Sequence, residues 1–240
     1  MKALGTFSLT LFAVCLAVLL VTSNLRGVIN EVGLYKWGFE KYRISQSTGI
    51  PEEELLRASR GLIDYFNLRK DSPQIQVSRH GEKMELFNER ELAHLKDVRD
   101  LIQRAYQAQW ASLAYILGYL LLGFIWLKKA SLRWVARGLF FGGLFTIFLF
   151  VFAGAWALVD FDSFFLVFHL ASFRNELWIL DPAKDYLIAM FPEGFFFHVA
   201  LLLAGAVVAE AAILAGMAAI YLRRVKRRGS SASTGVTAGS

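Results

Sequence analysis

Two histidines carry most of the chemistry this sequence could perform. His169 precedes Arg174 and Asn175 by five and six residues within the stretch Asp162 to His198, so a base, a cation and an amide donor share one short segment. Such a set can remove a proton and steady an oxyanion. His94 stands three residues before Asp97 in a helical pattern, a spacing that lets a carboxylate approach the imidazole and favour its charged form. His169 is therefore a candidate base, with Arg174 and Asn175 as candidate oxyanion donors, and His94 beside Asp97 is a second candidate for acid–base work. Trp178 and Asp181, further along the same segment, are candidate substrate contacts. A plainer reading stays open, in which His169 and Trp178 only anchor a loop at headgroup depth. If the pair serves one small reacting centre, the two rings must lie within about 10 Å of each other.

Other familiar sites are missing from the chain. There is no H-E-x-x-H, no G-x-S-x-G, no phosphate loop and no Cys/His cluster at zinc spacing, so a zincin, a serine hydrolase and an ATP-driven machine are disfavoured, and neither metal nor cofactor is expected. Cys15, the single cysteine, lies inside an apolar run and reads as a packing residue. His80 reads as the tip of a turn, and His198 opens the last apolar run beside Phe195, Phe196 and Phe197. Glu210 is the one carboxylate deep in such a run, where acids are functional hypotheses by default; a structural, hydrogen-bonded role is favoured.

The elements that must position these residues follow from composition. With 56% hydrophobic and 19% charged residues in 240, the chain falls among multispan membrane proteins. Four windows are long enough for a hydrocarbon core that needs about 20 helical residues. The reading is an all-α membrane protein with four transmembrane helices, a small α+β extracytoplasmic domain and an interfacial helical loop. Its parts are a first span at 1–23, an outer domain at 24–109, a second span at 110–127, a cytoplasmic loop at 128–134 and a third span at 135–159. The interfacial loop at 160–194, a fourth span at 195–222 and a basic, disordered tail at 223–240 complete it. The first span reads as a retained anchor, since Val21-Thr22-Ser23-Asn24 is a poor cleavage site.

The formal charge of +6 is distributed by membrane side. Lys128, Lys129, Arg133 and Arg137 fill the link between spans two and three, and Arg223, Arg224, Lys226, Arg227 and Arg228 follow span four. Between spans three and four stand only Arg174 and Lys184. The positive-inside rule then puts both termini in the cytoplasm and the histidines at the outer face. Nucleic-acid binding is excluded by the same distribution.

Local signals place the rest. Pro51 followed by Glu52, Glu53 and Glu54 opens a helix with a buried face at Leu55, Leu56, Leu62, Ile63 and Phe66. Ile75 to Ser78 and Met84 to Phe87 flank a turn containing Gly81. Asn88 and Glu91 form a capping-box pattern, with no Gly or Pro after it until Gly118, so one helix can run from there into span two. If that helix is straight, His94 stands about 22 Å along it from a boundary near Gln109; a leaning segment would bring it closer. Asp162 or Ser163 can cap a helix carrying His169, Asp181-Pro182 can begin another, and Pro192-Glu193 can begin span four.

Several of these strings together resemble one known family. They are Phe168-His169-x-x-x-Phe173-x-Asn175-x-x-Trp178-x-x-Asp181-Pro182, continued by Leu187-Ile188 and Phe191-Pro192-Glu193. With them go Asn88-x-x-Glu91-x-x-His94-Leu95-x-Asp97-Val98 and Thr48-Gly49-Ile50. Over most of residues 24 to 198 the chain resembles the Lit family of lipoprotein intramolecular transacylases. The resemblance implies four spans with a small outer domain and an essential pair, His94 and His169. Given that pair, His169 is expected as the base and His94, steadied by Asp97, as the acid toward a departing oxygen, with the reverse assignment left open. It also implies transfer of one fatty acyl chain from the glycerol of a lipoprotein's N-terminal diacylglyceryl-cysteine to that cysteine's own α-amine. Its partners would be diacylated lipoproteins and membrane lipid, with no obligate protein partner. The missing Ser or Cys nucleophile fits a direct attack without an acyl-enzyme. Two other readings compete: a non-catalytic membrane protein with a partner-binding outer domain, and a lipid-ester hydrolase.

Overall fold

A computed structural model of the chain describes residues 2–127 and 131–236. Lys128 and Lys129, and the tail from residue 237, lie outside the described residues. The elements run α1 (Lys2–Asn30), α2 (Val32–Lys41), α3 (Ile44–Thr48), α4 (Glu52–Phe66), β1 (Gln76–Arg79), β2 (Glu82–Glu85) and α5 (Glu89–Leu127). They continue with α6 (Ser131–Val159), α7 (Phe161–Ser172), α8 (Tyr186–Met190) and α9 (Glu193–Val236). Among the described residues α1, α5, α6 and α9 are long and apolar enough to cross a membrane. The protein is a mostly helical, multi-pass membrane protein.

The chain forms two compact units, and α1, α5, α6 and α9 contribute to both. One unit comprises residues 1–23, 108–153 and 204–240. Its core is Phe12, Leu16 and Ile116, with Cys15, Tyr119 and Leu214 packed on them. Backbones approach closely there: a Cβ on Gly143 of α6 would stand 2.8 Å from the Ala211 carbonyl oxygen of α9, the small-residue contact by which helices pack in lipid.

The other unit comprises residues 24–107 and 154–203 and holds both candidate histidines. Its core gathers Phe39, Ile44, Ile50, Leu55, Leu62 and Val77 with Leu86, Phe87, Leu95, Met190 and Phe191. Helix α4 buries the face expected of it except Leu56, which is half-buried, and Pro51 is its N-cap rather than its first helical residue. The hairpin pairs Gln76 with Glu85 and Arg79 with Glu82. His80 (φ 52°) and Gly81 (φ 89°) form its two-residue turn, both left-handed as such a turn requires. His80 is exposed, as expected of a turn tip.

Helix α5 is unbroken from Glu89 to Leu127. Its first turns carry Glu89, Arg90, Lys96, Arg99, Asp100 and Arg104, and its later turns are apolar. The cap of α7 is Asp160, whose carboxylate accepts from the Ser163 backbone N–H at 3.0 Å. Asp162 and Ser163, expected as caps, are instead in the first turn, because α7 follows α6 after the single residue Asp160, which takes the cap itself. Asp181-Pro182 begins a turn and no helix; α8 starts at Tyr186, with Asp185 at its N-cap position. Helix α9 continues to Val236, past the expected end of span four at 222, since no Pro interrupts its backbone ladder.

Candidate active site

The start of α5 positions the first histidine. Asn88 Oδ1 accepts from the Glu91 N–H at 3.0 Å, and Glu91 Oε2 accepts from the Asn88 N–H at 2.8 Å. This reciprocal pair satisfies two donors that a helix start otherwise leaves bare. His94 lies one turn further, 7% exposed, with Nδ1 buried and unpartnered. Its ring meets Phe173 edge-on at 5.2 Å.

Helix α7 positions the second. His169 is 8% exposed, and its Nδ1 lies 2.8 Å from the Phe165 carbonyl oxygen one turn back. A carbonyl only accepts, so Nδ1 carries the proton and Nε2 holds the free lone pair. Four rings surround the imidazole: Phe165 at 4.2 Å, Trp178 at 4.8 Å, Phe168 at 5.4 Å and Phe173 at 5.7 Å. The two histidine rings are 6.4 Å apart between centroids, inside the separation that one reacting centre requires.

Side chains of α5 stitch it to the segment after α7. Asn175 Nδ2 donates to Asp97 Oδ2 at 2.8 Å, and Arg90 Nη2 donates to the Glu176 carbonyl at 2.7 Å. Asn88 Nδ2 donates to Asp185 Oδ1 at 2.8 Å, and the Leu187 N–H donates to Glu91 Oε1 at 2.6 Å. Asp97 thus braces Asn175, and the expectation that it steadies His94 gives way to that contact. Asn175 Oδ1 also accepts from the Leu177 N–H. Arg174 is exposed and forms no ion pair among the described residues. Asp181 shapes its own turn, accepting from the Ala183 N–H at 2.9 Å and pairing with Lys184 at 3.3 Å. Glu210 stands on α9 with an exposed side chain, and His198 is bonded elsewhere, to Lys41 at the end of α2 and to Tyr42 that caps it. Among the described residues no group of His, Cys, Asp and Glu is arranged to hold a metal ion.

Electrostatics corrects the role expected of His94. Burial holds its imidazole down at about 4, His169 pushes the same way, and Asp97 opposes both without prevailing. At neutral pH His94 is a neutral ring and no store of acid. Burial lowers His169 as well, against the Phe165 carbonyl, which favours the protonated form. Stability should report the His94 shift. Because the folded value lies below the ordinary 6.5, the unfolded chain binds the proton first. The contribution is full above pH 6.5 and is lost as pH falls toward 4, for a total of about 3 kcal/mol. Thermal unfolding in detergent across that window should show the loss in the native chain, and a flatter profile in His94→Gln.

Sequence reasoning named both histidines as candidates but not the aromatic box around them or the second use of Glu91. Phe165 and Phe173 stand four residues either side of His169, a spacing that could have flagged them as neighbours on one helical face.

Helices fit for a bilayer define a membrane-integral protein, one unit of which holds two buried imidazoles face to face. The sequence profile described as "Lipoprotein intramolecular transacylase Lit" matches residues 10–196. The chain belongs to the Lit family of lipoprotein intramolecular transacylases, and so to the acyltransferases. The structure of the membrane-integral lipoprotein intramolecular transacylase Lit from Bacillus cereus is similar with a TM-score of 0.76, at 22% identity, covering 95% of this chain and 100% of that one. Two histidine variants of that protein, one to alanine and one to arginine, give 0.70 and 0.69 at 20% identity. Each covers 95% of this chain, and 97% and 96% of those chains. At such identities the likeness is one of fold. No curated protein matches the chain.

Proposed function

We propose that this chain moves one acyl chain from the glycerol ester of a lipoprotein's N-terminal diacylglyceryl-cysteine to the α-amine of the same cysteine, leaving a lyso-glycerol. The observation that carries this reading, beside the family, is the pairing of two buried imidazoles 6.4 Å apart among aromatic rings. The amine nitrogen attacks the ester carbonyl carbon through a ring of about eight atoms, so positioning is the main contribution asked of the protein. His169 Nε2 takes the proton shed by the nitrogen. The carbon–oxygen bond to glycerol then breaks, and the imidazolium returns that proton to the departing oxygen. His94, neutral and with a buried unpartnered nitrogen, supplies a hydrogen bond to the oxyanion as a neutral ring. Asn175, engaged by Asp97 and Leu177, holds the loop that carries Trp178 in place. Arg174, exposed one residue after Phe173, is left to meet polar groups of the substrate. Asp97 is a positioning residue in this scheme, Trp178 a wall of the substrate site, and Asp181 a turn residue at its edge.

Charge supports an orientation for this reading. Arg133 and Arg137 on α6 and the basic run after Leu222 suit the cytoplasmic side, and the histidine pair then belongs at the outer face, in an extracytoplasmic domain with α7 and the following segment at the interface. Mass spectrometry of lipoprotein N-termini tests the reaction in cells carrying the active protein. The expected product has an acyl group on the α-amine and a lyso-glycerol. Loss of the acyl group altogether would make the protein a hydrolase, and unchanged lipoproteins would leave it a binding scaffold.

A further inference from the structure

A second polar cluster stands where α2 meets the start of α9, and the acyl-transfer scheme does not use it. Lys41 Nζ lies 2.9 Å from His198 Nε2, and Tyr42 Oη lies 2.9 Å from His198 Nδ1. The His198 Nδ1 is also 2.8 Å from the Gly194 carbonyl oxygen. An ammonium only donates, so Nε2 accepts; the ring is then neutral, with its proton on Nδ1 and shared with the carbonyl. That leaves the Tyr42 O–H proton uncommitted. Lys41 keeps two N–H donors, and the Trp37 ring lies 4.9 Å from its nitrogen. Two donors, one of them cationic, therefore flank a single imidazole.

Close packing fixes this arrangement. A Cβ on Gly38 would stand 2.5 Å from the Phe195 ring, and one on Gly194 would stand 2.9 Å from the Tyr42 ring and hydroxyl. Each helix therefore carries a glycine where the other inserts an aromatic side chain. Among the described residues no carboxylate lies within ion-pair distance of Lys41; its neighbour Glu40 pairs with Lys36 instead. Among the described residues no counter-charge meets the cation.

Position says what supplies it. His198 lies five residues into the candidate span Glu193–Arg227, so Lys41 is held at headgroup depth, with Trp37 and Tyr42 as the amphipathic rings that favour that depth. Leu202, one turn beyond His198, is 54% exposed, and Phe196 is 37% exposed, which gives an acyl chain an apolar surface beside the donors. We propose that Lys41 and Tyr42, backed by Trp37 and His198, bind the phosphate of an anionic glycerophospholipid. The diacylglyceryl group of a lipoprotein has no phosphate, so this site is separate from the acyl-transfer centre and independent of that reading.

Native mass spectrometry of the full-length protein in detergent tests the proposal, with phosphatidylglycerol and phosphatidylcholine of identical acyl chains offered together. The native chain should retain phosphatidylglycerol in preference. Lys41→Met should lower that retention about fivefold, the effect of one basic residue near a headgroup, without changing phosphatidylcholine retention, and Lys41→Arg should restore most of it. Lys41 is exposed, so folding should survive, which thermal unfolding checks. Equal retention of the two lipids by the native chain, or undiminished phosphatidylglycerol on Lys41→Met, would overturn the proposal. Displacement of the lipid by millimolar inorganic phosphate would also overturn it, by making this a site for free phosphate.

Discussion

Replacing His169 with Ala is expected to lower the rate of acyl transfer by about a hundred- to ten-thousandfold, the range for loss of a positioned general base. The argument rests on its tautomer. The Phe165 carbonyl holds the proton on Nδ1, so the lone pair on Nε2 is the group able to take a proton from an attacking amine. Burial lowers the imidazole below its ordinary range, which keeps it unprotonated at neutral pH, whereas the α-amine, near 8 when unperturbed, is largely protonated there. The rate should therefore rise with pH as the amine loses its proton, and fall on the acid side. His169→Gln sharpens the test, because its amide can still donate to the Phe165 carbonyl and fill the aromatic box but cannot act as a base. Both variants should lose the rate alike while unfolding near the native temperature. If Gln kept most of the activity, His169 would be a packing residue and the mechanism would need another base.

What the sequence made legible was local. The capping box of Asn88 and Glu91 is read from a three-residue spacing, the hairpin from Gly81 between two short strands, and the spans from hydropathy alone. The histidine pair was legible through motif resemblance, since no spacing rule brings residues 94 and 169 together. What stayed hidden depends on partners distant in sequence. Asp97 lies three residues from His94 and could have faced it, yet its carboxylate takes the Asn175 amide, 78 residues away. His94 was expected as an acid because a neighbouring carboxylate is visible in a sequence and desolvation is not. Once the ring is 7% exposed, burial outweighs the carboxylate. The cluster of Lys41, Tyr42 and His198 was equally out of reach, because its members are 156 and 157 residues apart.

Glu91→Ala is expected to destabilise the protein by about 3 kcal/mol or more and to misplace His94. The Glu91 side chain is 1% exposed, and its two oxygens do different work. Oε2 accepts from the Asn88 N–H and closes the capping box; Oε1 accepts from the Leu187 N–H, 96 residues away, and ties α8 to the start of α5. Losing a helix cap costs about 1 kcal/mol, and leaving a half-buried N–H without its acceptor costs about 1–3 kcal/mol more. A cavity where a fully buried side chain stood adds to both. Burial pushes the Glu91 carboxyl up while the N–H groups of Asn88 and Leu187 hold it down, so those bonds are what make the buried carboxylate tolerable. Glu91→Gln should cost less than Ala, since it fills the same volume and retains one acceptor oxygen, although its amide turns a donor toward the other N–H. Because His94 sits one turn beyond Glu91 on the same helix, both changes should lower kcat for acyl transfer. Ala should lower it more, even at temperatures where the variant is fully folded. Denaturant or thermal unfolding in detergent, read beside the transfer rate, decides the matter. An Ala variant within about 1 kcal/mol of the native chain, below the sum of these costs, would show that the tie between α5 and α8 is held by Asn88 and Asp185 instead.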